Sequence, residues 1–170
     1  LMRLFDARFN PQQTLDETDA LKELEKSLYA IDSPDYDRIF RRFLNLIQFT
    51  LRTNFYQKRD GQPKNYISFK LDTRNLDAIP SPRPWVEVWV YSPRVEAVHL
   101  RVGKVARGGI RWSDHREDFR TEIVGLLKPQ IVKNTVTVSV GAKGGFVVKA
   151  PPTGREALLL EGIECYRTMV

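Results

Sequence analysis

The run Thr135-Val136-Thr137-Val138-Ser139-Val140 constrains this chain more than any other stretch. Side chains branched at Cβ favour extended backbone, and valines at every second position want an apolar surface to lie on. The run therefore predicts a buried strand over residues 134–140. It leads directly into Gly141-Ala142-Lys143-Gly144-Gly145, where a lysine stands among residues with little or no side chain. That pentapeptide reads as a turn. A short strand over 146–149 follows, and Pro151-Pro152 breaks it.

Charge concentrates around this feature. Residues 101–149 hold ten Lys and Arg against four Asp and Glu, a net +6 that equals the net charge of the whole chain, so the remainder is neutral. Three cationic marks stand out: Arg107 before Gly108-Gly109, Lys133 before Asn134, and Lys143. Each sits beside glycine or apolar residues, where a side chain can face a small enclosed anion. Arginine offers a carboxylate a bidentate fork and lysine a point charge. Burial among other cations also readies an amine for proton transfer. Three such groups around one hollow are what a dicarboxylate, or a keto acid with a second carboxylate, requires. The plainer alternative for each is a solvated surface charge.

Several function classes drop out. A pI near 9.5 invites a nucleic-acid reading. The chain has no Lys/Arg run, no aromatic RNA-binding motif and no zinc-finger spacing, so no nucleic-acid partner is expected. Cys165 is the only cysteine, which excludes an internal disulfide and suits a reducing, cytoplasmic setting. No apolar run is long enough to span a membrane, so no membrane partner is expected. Neither His99 nor His115 has a metal-binding partner one helical turn on, so no metal is expected. Gly103 to Gly108 has the spacing that opens a P-loop, but Gly109-Ile110 stands where Lys-Ser/Thr is needed.

The element pattern predicts two helices and then a sheet. Thr14 with Glu17 forms a capping-box pattern before Leu21, Leu24, Leu28 and Ile31. Asp32-Ser33-Pro34 stops that helix. A second, with Phe40, Phe43 and Phe49 as core residues, runs to about residue 55. Asp60-Gly61 marks a turn. Alternating patterns predict strands over 66–71, 85–91 and 95–105. A helix capped by Ser113-Asp114 follows, with Pro129 interrupting it before Lys133. A final helix begins near Thr153. The fold class is α+β or α/β: an N-terminal helical pair (1–62), then a mixed sheet with packed helices (63–170).

Taken together, Ala106-Arg107-Gly108-Gly109-Ile110-Arg111-Trp112, Val132-Lys133-Asn134 and Gly141-Ala142-Lys143-Gly144-Gly145 resemble the glutamate dehydrogenase family, in particular its large bacterial NAD-specific branch. The resemblance is strongest over residues 84–149. It implies that Lys143 is the catalytic lysine, that Lys133 holds the substrate's α-carboxylate, and that Arg107, with Gly108 and Gly109, holds the side-chain carboxylate. In the family a lysine stands where this chain has Arg107, which keeps the charge and alters its reach. Where the smaller enzymes lead into the catalytic lysine with proline and two glycines, this chain has Ser139-Val140-Gly141. The resemblance implies L-glutamate and 2-oxoglutarate as substrates, NAD as cofactor and a homo-oligomer for the full-length protein. It also implies a catalytic aspartate and a dinucleotide-binding domain beyond this chain, because no G-x-G-x-x-G occurs within it. The chain is thus expected to be the opening of a substrate domain, cut from a longer protein and inactive by itself. The competing reading is a non-catalytic anion-binding or assembly module.

Overall fold

The computed structural model describes residues 1–77, 79–81, 83–133 and 140–170, without the side chains of Val132 and Lys133. Three helices open the chain: α1 (Met2–Phe9), α2 (Glu17–Tyr29) and α3 (Pro34–Phe49). The short α1 is an addition to the expected pair, whose sequence shows no period. It is held by contact, with Leu4 joining Ala20 and Leu28 of α2 and Leu44 of α3 in one buried cluster. Asp16, rather than Thr14, caps α2, its carboxylate accepting from the N–H groups of Thr18 and Asp19. Pro34 is the first residue of α3, where its missing N–H leaves no bond unmade. The α3 stripe is wider than the surface offered to it. Leu44 is buried, but Phe40 is 38% and Phe43 52% exposed, against the expectation that both are core. The helix also ends at Phe49, six residues short of the expected limit, because the chain enters a sheet there.

Among the described residues nine strands follow: β1 (Thr50–Thr53), β2 (Lys58–Arg59), β3 (Gln62–Pro63), β4 (Ile67–Asp72), β5 (Val86–Tyr91), β6 (Val95–Arg101), β7 (Ala106–Arg107), β8 (Ile110–Trp112) and β9 (Val140–Val148). β2 and β3 form a separate hairpin. Its Asp60-Gly61 turn has φ of 52° and 77°, the paired left-handed conformation that tight hairpins use. The main sheet runs β1-β4-β5-β6-β9-β7, with β8 continuing the β7 side of β9. It is mixed. β7 and β8 run parallel to β9, and every other pairing is antiparallel.

Two further helices cover the sheet. α4 (Phe119–Lys133) lays Phe119, Ile123 and Leu127 on Val98, Leu100 and Val147. α5 (Arg155–Met169) buries Cys165 against the opposite face, among Val90, Val95, Ala97, Phe146 and Val148. α4 begins at Phe119 rather than at Ser113-Asp114, and it continues through Pro129. Ile123 and Leu127 before the proline and Ile131 after it all rest on the sheet, and that packing outweighs the lost backbone bond.

The chief correction concerns Gly141-Ala142-Lys143-Gly144-Gly145. It is the body of β9, not a turn. The strand is paired on both sides, with Leu100 of β6 opposite Lys143 and β7 and β8 along the other edge. Its glycines have no left-handed φ; those at Gly61 and Gly154 do. Glycine inside a strand here marks close approach of neighbours. A Cβ on Gly145 would stand 2.3 Å from Ile123 Cδ1, and one on Gly144 would stand 2.8 Å from Met169 Cε. Of the strand expected over 134–140, Val140 opens β9 and the rest lies outside the described residues.

Candidate functional site

Side chains alternate along β9, so the two helices identify its faces. Gly141, Gly145 and Val147 face α4: Gly145 meets Ile123, Val147 joins the α4 cluster, and a Cβ on Gly141 would fall 2.3 Å from Gln130 Oε1. Lys143 belongs to that series. It is half-buried, whereas every other residue from Gly141 to Val148 is buried. The glycines two residues before and after it leave its face of the strand without neighbouring side chains.

The strand beside it supplies the second mark. Arg107 pairs with Gly141, and Ile110 pairs with Gly144. Gly108 and Gly109 fill the interval, alongside Ala142 and Lys143. Gly109 accepts a hydrogen bond from the Gly144 N–H at 3.0 Å. Gly108 has no room for a side chain, because a Cβ would come within 1.4 Å of the Ala142 carbonyl oxygen. Gly109 differs: a Cβ there would meet nothing within 4 Å. Among the described residues, therefore, nothing fills the space beside Gly109. The register puts Arg107 on the side of Gly141 and Lys143. Ordinary strand spacings set the two cationic Cα atoms about 8 Å apart.

The electrostatic setting separates these two cations from their neighbours. Arg94 is bound by Glu161 at 2.5 Å, Arg111 by Glu122 at 2.6 Å and Arg120 by Glu87 at 2.7 Å. The Glu87 carboxylate holds the Arg120 guanidinium above its ordinary pKa, and Glu161 does the same for Arg94. Among the described residues neither Arg107 nor Lys143 has a carboxylate partner. Both are thus available to an anion from outside.

The third mark is placed by its backbone alone. Lys133 is the last residue of α4, the helix that covers the Lys143 face, and its side chain lies outside the described residues. One turn earlier is Gln130, which the sequence reading passed over. Its side-chain oxygen is buried without a hydrogen-bond partner among the described residues, directly over Gly141. The signal for it was its spacing, three residues before Lys133 on the same side of one helix. His99, opposite Gly144, lies on the α5 face away from these groups. Burial and the nearby Arg101 push its pKa down.

A hollow of about 1070 Å³ opens elsewhere, between α3 and the sheet, lined by Phe5, Phe43, Leu46, Phe69, Trp89 and Arg120 among others. Lys143 and Arg107 are not in its lining. Its walls are largely apolar, and three of its four arginines, Arg38, Arg41 and Arg120, are already paired with carboxylates. Such a hollow does not suit a small di-acid. Among the described residues no group of His, Cys, Asp and Glu is arranged to hold a metal ion. Among the described residues no helix is long and apolar enough to cross a membrane.

The family model described as "Bacterial NAD-glutamate dehydrogenase, catalytic domain" matches residues 23–170. Proteins named NAD-specific glutamate dehydrogenase from Halomonas elongata, Pseudomonas aeruginosa and Mycobacterium tuberculosis are 50%, 52% and 49% identical to the chain, in each case across all of it. The chain spans 11% of the length of each of these relatives.

Proposed function

Since the chain belongs to the family of bacterial NAD-glutamate dehydrogenase catalytic domains, we propose that it supplies substrate-side residues for an NAD-linked oxidative deamination of L-glutamate to 2-oxoglutarate and ammonia. The observation that carries this reading is a pair of cations, Arg107 and Lys143, on one face of adjoining strands, which among the described residues have no carboxylate partner and leave open space at Gly109. In this reading Lys143 is the catalytic lysine. Its amine faces the α-carbon, polarises the carbonyl oxygen of 2-oxoglutarate, and moves the proton of the water that enters or leaves as the imine forms and collapses. Arg107 holds the side-chain carboxylate, with Gly108 and Gly109 keeping the adjacent backbone low. Lys133 holds the α-carboxylate.

NAD is the cofactor in the relatives' names, but the described residues form no seat for a dinucleotide. They contain no G-x-G-x-x-G turn, and the parallel pairings of the sheet join β9 to the short strands β7 and β8 rather than building repeated βαβ units. The chemistry assigned to this chain is therefore confined to the substrate side. We also assign residues 63–170 to the opening of the substrate domain and residues 1–62 to a helical segment attached to it through β1. A cytoplasmic, homo-oligomeric full-length enzyme belongs to the same proposal.

Steady-state kinetics of the full-length protein test it. Lys143→Ala is expected to abolish glutamate-dependent NAD reduction, and Arg107→Ala to raise KM for glutamate. The isolated 170-residue chain is expected to show no turnover. Full activity in Lys143→Ala would refute the assignment. Calorimetry separates the competing assembly-module reading, which predicts no 2-oxoglutarate binding that depends on Lys143.

A further inference from the structure

Glu122, in the first turn of α4, holds the middle of β8 and the residue that follows it. One of its carboxylate oxygens accepts from Ser113 Oγ at 2.5 Å, and the other pairs with Arg111 Nε at 2.6 Å. Ser113 is 3% exposed, and its N–H donates to the Phe146 carbonyl on β9 at 2.9 Å. Its Oγ also accepts from the His115 N–H, closing the turn that leads into α4. The next residue of the helix, Ile123, sits where a side chain on Gly145 would be. Consecutive residues of α4 thus hold β8 through polar bonds and β9 through packing.

This has consequences at the open space. β8 begins at Ile110, directly after Gly108-Gly109, and Gly108 already lies against the Ala142 carbonyl with no slack. A shift of β8 along β9 moves the Arg107–Gly109 segment relative to Lys143. We propose that Glu122 is a positioning residue, which through Arg111 and Ser113 sets the distance between Arg107 and Lys143 and hence the fit of a di-acid between them. The proposal rests on the reading of this face as the substrate site. An ionised carboxylate is the suitable group, because it accepts from two donors at once and binds both more strongly than a neutral acceptor does.

The test is a kinetic comparison in the full-length dehydrogenase of Glu122→Ala, Glu122→Gln, Arg111→Gln and Lys143→Ala, with thermal midpoints measured alongside. Glu122→Ala removes the bonds to both Ser113 and Arg111 and is expected to raise KM for glutamate about tenfold or more. KM for NAD should stay near that of the parent, while the thermal midpoint falls modestly because the buried Ser113 hydroxyl loses its acceptor. Glu122→Gln keeps an acceptor for Ser113 and should fall between the two. If Glu122→Ala is not recovered folded, Arg111→Gln reads the same link from a side chain that is 60% exposed, and a severalfold rise in KM for glutamate is expected. An unchanged KM for glutamate in Glu122→Gln and Arg111→Gln overturns the positioning role. So does a rise in both KM values that tracks a fall in midpoint. Retained activity in Lys143→Ala would remove the site reading itself, and the positioning role with it.

Discussion

The two faces of β9 are built from the same kind of residue to opposite ends. On the α5 face, Phe146 and Val148 lie against Val90, Val95, Ala97 and Cys165, and Trp112 stacks on Phe146 with ring centroids 5.8 Å apart. Gly144 belongs to this face and is filled by its neighbours, with Met169, His99 and Ile110 all within 3.1 Å of where its side chain would be. On the α4 face, Gly141 and Gly145 admit the helix, but the interval between them holds a half-buried lysine beside open space at Gly109. One face is finished by packing. The other is left open where, among the described residues, an exposed arginine and a half-buried lysine have no carboxylate partner. In the function proposed above, a ligand completes the α4 face.

The largest effect that would break this contrast is catalytic. Lys143→Ala in the full-length protein should lower kcat about a thousandfold while leaving the thermal midpoint nearly unchanged, since no described carboxylate loses a partner. A large fall in midpoint would instead make the lysine structural. Next in size is the closed face. Gly144→Val forces atoms into Met169 and His99 and should destabilise the fold by roughly 2–3 kcal/mol, read as a lower denaturant midpoint. The sharpest pairing with that result is Gly109→Ala on the open face. It meets no atom of the described residues, so stability should change by under about 0.5 kcal/mol, while KM for glutamate rises. Equal destabilisation by the two glycine substitutions would erase the distinction.

The smallest effect concerns pH. Burial, and secondarily Arg101, lower the pKa of His99 below its ordinary 6.5. Between the folded and unfolded values the unfolded chain binds the extra proton, so this site's contribution to stability declines as pH falls below about 6.5. His99→Gln should flatten the pH dependence of the midpoint in that range. An unchanged slope would show that the α5 face does not sense the proton.

How much of this was legible in the sequence follows the range of the interactions involved. Strands β4, β5 and β6 are written in local alternation, and so is the amphipathic pair α2 and α3. The cationic marks were visible because glycine beside Arg107 and Lys143 is informative without any partner. What failed was decided at a distance. Gly141 to Gly145 has the composition of a turn, yet pairing with β6 on one side and with β7 and β8 on the other holds it straight. Two-residue and three-residue strands such as β7 and β8 exist only because β9 templates them. α1 is too short to carry a period and is fixed by Leu4 in a cluster with α2 and α3. The placement of Gln130 over Gly141 and the bonds of Glu122 needed coordinates, since spacing puts Gln130 near Lys133 without saying what it covers and a glutamate in a first helical turn is ordinary in sequence.

The most direct measurement is a structure of the full-length protein with 2-oxoglutarate bound. The ligand should lie on the α4 side of β9, above Gly109, with its keto oxygen within hydrogen-bond distance of Lys143 Nζ and its distal carboxylate on Arg107. A ligand seated on the α5 side, or in the apolar hollow beneath α3 with Lys143 untouched, would contradict the account.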